Sequence, residues 1–283
     1  MVAVSARNFK RSIAVLLTAG TVLLTCIGCS STQQFPDGLA SIEQVARRQF
    51  GQLNPGRTQL RQQWDEWGAK HLKSGDIIFI LGSSRVFMGL INFSKFSTEI
   101  AASPFSHVGI VSIEDGRPWV YDTVSGGPRR KELGWYLSRS SIQRVAFRRP
   151  RLELDDEIPN VIQFCQRVYE DRIPYDERLV WGNDRYYCSE FVEMAFREQG
   201  IPLCELMPIN ELPHFDSFPV ALAAMIESTT SLSREQAVVF PGNDAYGIWS
   251  SPELMLLLSE QSPAQVPHPD SERIAAITGR SVD

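Results

Sequence analysis

Residues 186–200 read YYCSEFVEMAFREQG, and this stretch decides the fold. Its apolar residues recur at helical spacing from Cys188 onward and Gly200 is a typical helix stop, so we predict a helix over residues 188–199. The apolar face of this helix carries the thiol and must pack on a sheet. A thiol in the first turn of a helix feels the positive end of the helix dipole, which favours the reactive thiolate. The competing interpretation of Cys188 is a small buried core residue.

A base for this thiol must come from one of four histidines. His107 opens an apolar, β-branched run (SHVGIV, residues 106–111), which predicts a strand that begins at the imidazole. The other three, His71, His214 and His268, lie in polar, loop or tail segments. His107 is therefore the candidate general base, although a histidine that opens a strand can also be purely structural.

An Asp-Gly pair at positions 115–116 separates two apolar runs and strongly predicts a β-hairpin. With those two residues as the turn, Gly109 pairs with Asp122. His107 and Asp122 then lie on one face of the sheet as diagonal neighbours, and Gly109 leaves room between them. A carboxylate in this position can hold the imidazole in the right tautomer and stabilise its charged form. A three-residue loop would instead put Asp122 on the opposite face. The competing interpretation of Asp122 is a surface residue at the edge of the sheet.

The same patterns place further elements around this hairpin. The predicted strands cover residues 77–80, 108–113, 118–124 and 142–147. The predicted helices cover residues 42–72, with a turn at residues 54–56 that splits this stretch, and residues 157–170, 188–199, 220–228 and 252–258. Trp64 and Trp67 are three residues apart on the first helix and share a packed face, and helical spacing places Cys165 in the core. The basic residues 129–131 are interpreted as a solvated loop.

The N-terminus has the pattern of a lipoprotein signal. Three basic residues precede the apolar stretch 13–24, which is too short to span a bilayer comfortably, and Gly28 precedes Cys29 as in a lipobox. We therefore expect cleavage before Cys29 and lipidation of its thiol, which anchors the protein in the membrane of the cell envelope. By analogy with other lipoproteins, Ser30 after the lipidated cysteine favours the periplasmic side of the outer membrane in a Gram-negative host. The alternatives are cleavage before Cys26 and an uncleaved signal anchor.

Composition narrows the partners and cofactors. The formal net charge is −5 and becomes more negative once the basic signal is removed, which argues against nucleic acid as a partner. The mature cysteines show no CxxC spacing and the histidines no His-x-x-x-His spacing, so neither a metal nor another cofactor is expected. Cys165, Cys188 and Cys204 remain in the mature chain, either as one disulfide and a free thiol or as three free thiols.

Four segments together resemble a known family. They are LKSGDIIF (residues 72–79), SPFSHVGI (residues 103–110), the pair Tyr121-Asp122 and YYCSEFV (residues 186–192). These segments are similar to the circularly permuted papain-like cysteine hydrolases of the NlpC type, and nearest to the YiiX-like lipoprotein branch, in which the histidine strand precedes the cysteine helix. Four motifs in this order are far more specific than any one of them alone. Asp122 departs mildly from the family, which more often has Glu there.

The resemblance implies an α+β fold. In this permuted papain-like fold, an antiparallel sheet packs against a helix that bears the nucleophilic cysteine at its N-terminus. The predicted organisation is a signal peptide (1–28), a tether (29–41), an N-terminal helical extension (42–71), a catalytic domain (72–258) and a disordered tail (259–283). The resemblance also places Tyr175 and Asp176 near the cleft as substrate-positioning residues, with a purely structural turn as an equally weighted alternative.

The predicted function is that of a membrane-anchored cysteine hydrolase, a peptidase or amidase, acting on an amide or ester bond. Cys188 attacks the carbonyl, His107 accepts and later donates a proton, Asp122 orients His107, and an acyl-enzyme forms. The family implies cell-envelope peptides as substrates, with a lipid-acyl hydrolase or acyltransferase as the alternative. A non-catalytic binding lipoprotein on the same fold is the alternative of another class. A disulfide to Cys188 would favour it, whereas a bridge between Cys165 and Cys204 is compatible with an enzyme.

Overall fold

The computed structural model describes residues 55–82, 85–86, 91–139, 141–217 and 233–267. All of them belong to the unit Leu53–Asp283. The predicted signal peptide, tether, lipidated Cys29 and helix at 220–228 therefore lie outside the described residues, as do His268 and the last part of the predicted tail. Among the residues that are described, no helix combines the length and apolarity needed to cross a bilayer.

Strands and helices follow one another along the described residues. In chain order the strands are β1 (Ile77–Gly82), β2 (Arg85–Val86), β3 (Ile91–Asn92), β4 (His107–Glu114), β5 (Arg117–Val124), β6 (Gly127–Glu132), β7 (Ile142–Pro150), β8 (Met207–Pro208), β9 (Ala237–Val238) and β10 (Leu254–Gln261). The helices are α1 (Pro55–His71), α2 (Phe93–Ile100), α3 (Leu133–Leu137), α4 (Ile158–Glu170) and α5 (Cys188–Arg197). Short 3-10 turns within the described ranges lie at Leu152–Leu154, Ile209–Glu211, Phe215–Ser217 and Ile248–Ser250.

Six of these strands form one antiparallel sheet in the order β10-β7-β1-β4-β5-β6. The pairs β2–β3 and β8–β9 are separate two-stranded ribbons. An antiparallel sheet with helices packed on it confirms the predicted α+β class.

The sheet is buried on both faces. Alternate residues of β1 enter two different apolar clusters, because successive side chains of a strand point to opposite faces. Ile77 and Phe79 pack with the apolar residues of α4 and α5, whereas Ile78 and Ile80 pack with those of α1 and α3. Trp64 and Trp67, which we predicted to share a packed face, are both buried in this second cluster. Their rings meet edge to face with their centroids 5.4 Å apart. The described part of the predicted N-terminal extension thus packs with α3 on the face away from α5.

The β4–β5 hairpin has the register that the sequence predicts. Asp115 and Gly116 both have positive φ, 50° and 73°, as a two-residue hairpin turn of the primed type requires. Ile110 pairs with Tyr121 and Glu114 with Arg117, the register expected when these two residues form the turn. The predicted hairpin is therefore confirmed.

The C-terminal end of the sheet corrects two predictions. The predicted helix at 252–258 is wrong, because residues 254–261 form strand β10 beside β7. Its run of leucines has high helix propensity, but the free edge of β7 offers hydrogen bonds that outweigh a weak local preference. The strand also continues past the predicted domain end at residue 258 into the predicted disordered tail (259–283). The predicted boundary at residue 258 is therefore wrong. Beyond the strand, the carbonyl of Pro263 also accepts a hydrogen bond of 2.8 Å from Nε1 of Trp64.

The prediction for the basic residues 129–131 is also wrong. They lie on β6, an edge strand, and not in a solvated loop. The strand is polar because its side chains pair with charges on other strands: Arg129 with Asp122 on the adjacent β5, and Arg130 with Glu114 at the end of β4. A polar strand of this kind lacks the apolar alternation by which strands are usually found.

We predict that Gly109→Ala destabilises the hairpin. A Cβ at this position would lie 2.8 Å from the carbonyl oxygen of Tyr121 and 3.2 Å from Cβ of Asp122, so the two strands would have to separate. The free energy of unfolding measured with urea should fall by about 1–3 kcal/mol.

Gly126→Ala is the matched control, because a Cβ there meets nothing within 4 Å. It should change the free energy of unfolding by less than about 0.5 kcal/mol. An equal effect of the two substitutions would contradict the close approach of β4 and β5 at Gly109.

Candidate active site

The thiol of Cys188 lies at the first residue of α5. The helix begins here because Tyr187 has extended backbone angles, φ −82° and ψ 169°. The apolar face of α5 is buried against the sheet, which confirms the predicted helix and its packing face. The helix ends at Arg197, two residues earlier than predicted, and Gly200 with φ +79° completes the stop.

Glu190 secures the start of the same helix. Its Oε1 accepts a hydrogen bond of 2.9 Å from the backbone N–H of Gly182, which ties the preceding loop to the helix. The other oxygen, Oε2, is buried and has no hydrogen-bond partner among the described residues. Burial raises the pKa of Glu190 to about 7, the N–H of Gly182 counteracts this in part, and the carboxylate of Asp176 adds to it.

His107 opens β4 and reaches Asp122 on β5. Its Nε2 lies 2.7 Å from Oδ2 of Asp122, so the structure brings the two predicted residues into direct contact. The Asp122 side chain is fully buried, and the His107 side chain is 15% exposed. With Nε2 engaged by the carboxylate, Nδ1 is the ring nitrogen that remains for the thiol.

Two residues that the sequence analysis missed also hold Asp122. Arg129 on β6 donates from Nε to Oδ1 at 2.9 Å and from its terminal nitrogen to Oδ2. The buried hydroxyl of Tyr136 on α3 donates to Oδ2 at 2.8 Å. A signal for Arg129 exists in the sequence, since a two-residue Ser125-Gly126 turn pairs Asp122 directly with Arg129, as β5 and β6 do. Nothing in the local sequence indicates the contact of Tyr136.

Charges in the site favour a thiolate beside an imidazolium. Burial raises the pKa of the Cys188 thiol, but the charge and the hydrogen bond of His107 outweigh burial and hold that pKa below its ordinary value. Burial alone would lower the pKa of His107, yet the Cys188 thiolate and the hydrogen bond to Asp122 raise it to about 9. For Asp122, burial raises the pKa, while hydrogen bonds with His107 and Arg129 hold it well below its usual range. The arrangement can therefore supply a nucleophile, a proton donor and an orienting carboxylate.

Asp176 is used by its own loop. The Asp176 side chain is buried, and its Oδ1 accepts a hydrogen bond of 2.9 Å from the backbone N–H of Arg178. Its Oδ2 accepts one of 2.5 Å from the backbone N–H of Val180 and one of 3.1 Å from the side-chain amide of Asn183. These contacts favour the structural turn over a direct role in substrate binding.

The Tyr175 hydroxyl is within electrostatic reach of Cys188. Burial raises the pKa of its hydroxyl well above the ordinary value, and the Cys188 thiolate raises it further, which a nearby negative charge explains. The two residues that the resemblance grouped together are thus placed differently by the structure.

A cleft of about 670 Å³ has Tyr175 in its wall, whereas Cys188, His107 and Asp122 are not among the described residues that line it. The turn at residues 125–128 forms part of its wall. The aromatic and charged residues of the remaining wall are Tyr169, Tyr175, Glu170, Glu177, Arg172 and Arg185. Its volume lies in the usual range for clefts that bind small molecules or peptide segments.

The three described cysteines are all free thiols. Cys165 is buried in the core as predicted, and burial raises its pKa and that of Cys204. Only Cys188 has a lowered pKa among the three, which sets its reactivity apart. Within the described ranges, no group of three or more His, Cys, Asp or Glu side chains is arranged to hold a metal ion.

Comparisons with known proteins point in one direction. The sequence profile of the family described as permuted papain-like amidase enzyme, YaeF/YiiX, C92 family, matches residues 71–234. A protein of Escherichia coli (strain K12) described as uncharacterized protein YiiX is 26% identical over 191 residues, which covers 66% of this chain and 87% of that protein. A crystal structure described as metalloprotein yiiX from Escherichia coli O157:H7 has 25% sequence identity and a TM-score of 0.55, and the match covers 68% of this chain and 99% of that one.

We predict that Glu190→Gln stabilises the protein in a pH-dependent way. The pKa of Glu190 is raised in the folded state, so its contribution to stability is complete below the unfolded pKa and is lost as pH rises through about 7. The variant lacks this loss. Its free energy of unfolding should exceed that of the parent by about 1–3 kcal/mol more at pH 8 than at pH 5.

Urea unfolding at both pH values measures this difference. The exposed Glu211, replaced by Gln, is the control and should show no such pH dependence. A Glu190→Gln variant that loses stability equally at both pH values would contradict the account, because it would mean that the ionised carboxylate is needed at the helix start.

Proposed function

The chain belongs to the permuted papain-like amidases of the YaeF/YiiX, C92 family, and from this premise we propose that it hydrolyses amide bonds of cell-envelope peptides while anchored to the membrane. Membership confirms the predicted resemblance and the permuted papain-like fold, and it makes the protein a papain-like cysteine hydrolase. The proposal adds the residues that act, the bond and the location.

The contact that carries the proposal is the 2.7 Å hydrogen bond between His107 and Asp122. It fixes the imidazole with Nε2 toward the carboxylate and leaves Nδ1 to serve the thiol of Cys188. A nucleophile, a base within reach and a third group that orients the base form the arrangement that activates a thiol in acyl transfer.

In the proposed reaction, the Cys188 thiolate attacks the carbonyl carbon, and the electron pair of the C=O π bond moves onto the oxygen. When the C–N bond breaks, the proton on His107 Nδ1 passes to the leaving amine, and a thioester remains on Cys188. His107, now neutral, takes a proton from water, which attacks the thioester. Release of the acid product restores the thiolate and the imidazolium.

Stabilisation of the oxyanion falls to groups at the start of α5. The backbone N–H of Cys188 has no intrahelical acceptor at this position and lies at the positive end of the helix dipole. We propose that the hydroxyl of Tyr175, which lines the cleft, positions the substrate carbonyl. Asp176 contributes indirectly, because it holds the loop that carries Tyr175.

The wall of the cleft supports peptides over lipids as substrates. Two glutamates, two arginines and two tyrosines line it, and no leucine, isoleucine, valine or methionine is among the described residues of the wall. A fatty acyl chain gains its affinity from apolar contacts, which this wall offers only at its prolines and tyrosine rings. A peptide with charged side chains or termini can use the carboxylates and guanidinium groups instead.

Anchoring of the protein rests on its N-terminal sequence. The basic start, the apolar stretch and the Gly28-Cys29 pair match a lipoprotein signal, and lipidation at Cys29 would hold the enzyme at the membrane beside its substrate. In a Gram-negative host this places it on the periplasmic side of the outer membrane. No nucleic acid and no cofactor enters the proposed reaction.

The substrate proposal is tested with detergent-solubilised full-length protein. Cell-wall peptides and phospholipids are offered in parallel, and the products are identified by mass spectrometry. We predict new amine and acid termini from the peptides. Cys188→Ala should abolish their release, and Asp122→Asn should slow it by about 10²–10⁴-fold because the imidazole loses its orienting carboxylate.

Three other outcomes contradict the proposal in different ways. Release of fatty acid without peptide cleavage favours the lipid-acyl hydrolase. Cleavage that persists in the Cys188→Ala variant would mean that Cys188 is not the nucleophile. Peptide binding without any product favours the non-catalytic binding lipoprotein.

A further inference from the structure

Arg129 grips the carboxylate of the proposed triad from the neighbouring strand. Asp122 and Arg129 pair directly across β5 and β6, and the guanidinium contacts both carboxylate oxygens, Oδ1 at 2.9 Å. The Asp122 side chain is fully buried and the Arg129 side chain is 24% exposed. This two-pronged contact at such a depth forms a single unit whose net charge is zero.

The charge of this unit matters because His107 donates to the same carboxylate. A buried carboxylate without a counter-charge strongly favours the imidazolium. An imidazolium stabilised to that extent is a poor acid and gives up its proton reluctantly. A neutral unit still orients the ring through the hydrogen bond, but it attracts the second proton far less.

We propose that Arg129 is a positioning residue that neutralises Asp122, so that His107 stays oriented yet remains able to release its proton to the leaving amine. This proposal rests on the proposed function of Cys188 and His107. In the acylation step it concerns one event, the transfer of the proton from His107 Nδ1 to the nitrogen of the broken C–N bond.

The other groups around the imidazole do not supply this compensation. Cys188 faces it from α5 as a thiolate, which favours the imidazolium. Tyr136 on α3 donates a neutral hydrogen bond to Asp122. Arg139 donates to the backbone carbonyl of Tyr136 and lies over the ring of Tyr136, so its charge is not in direct contact with Asp122. Apart from His107 itself, Arg129 is the cation in direct contact with Asp122 among the described residues.

The neighbouring residue offers a matched control. Arg130 follows on the same edge strand and makes the same kind of ion pair, but with Glu114, and it lies over the ring of Trp119. Its loss removes a comparable contact from β6 without touching the triad. An effect confined to Arg129 therefore cannot come from loosening the strand.

The test follows the pH at which His107 loses its second proton, by nitrogen NMR of the full-length protein with labelled histidine. Arg129→Met should raise that pH by about one unit or more, because the carboxylate is no longer compensated. Arg129→Lys, which keeps the charge, should raise it by less, and Arg130→Met should leave it unchanged.

A double variant covers the case in which Arg129→Met does not fold. Asp122→Asn with Arg129→Met replaces a neutral ion pair by a neutral amide, so His107 should titrate within about half a unit of the parent protein. A shift of more than about one unit in the double variant overturns the proposal. So does a folded Arg129→Met protein with an unchanged titration, or an equal shift in Arg130→Met.

The titration needs no substrate, so its result is independent of the cleavage assay. An enzyme that cleaves peptides but shows no shift in Arg129→Met retains the proposed function and loses this inference. A protein that shows the shift but cleaves nothing retains the charge arrangement and loses the function.

Discussion

The structure depends on one buried carboxylate. Asp122 has no access to solvent, and leaving a charge there without partners would cost several kcal/mol. Its donors come from three different elements: His107 from β4, Arg129 from β6 and Tyr136 from α3. Each donor therefore requires its own element to be in place. The packing of the sheet edge and the orientation of the imidazole are consequently one constraint, and a change that loosens the edge also misplaces the base.

The two faces of the sheet divide the work around this constraint. One face carries α5, whose apolar side packs on the sheet and fixes the start of the helix where the thiol lies. The other face carries α1 and α3, and α3 supplies Tyr136 to Asp122. Gly109 allows the strands to meet closely where the imidazole and the carboxylate must touch. The enzyme thus obtains a paired thiolate and imidazolium from rigid elements rather than from loops, and it leaves loops to shape the cleft.

Much of this could be predicted from the sequence, because it follows from local rules. The Asp-Gly turn sets the register, the register brings His107 to Asp122, and helical spacing puts Cys188 at the head of α5. The failures come from tertiary context. Residues 254–258 are leucine-rich and could form either element until the edge of β7 is known. The strand with Arg129 is polar, so no apolar alternation reveals it, and Tyr136 reaches the site only through the packing of α3.

The central claim is that Cys188 exists as a thiolate paired with His107, and the ultraviolet absorbance of the thiolate tests it most directly. The difference in absorbance between the protein and its Cys188→Ala variant is followed as pH rises from acid. The lowered pKa predicts that this absorbance appears well below the ordinary cysteine value of about 8.5, and that in His107→Ala it appears only near or above that value. A thiolate that forms near the ordinary pH in both proteins would contradict the ion pair and, with it, the account of the site.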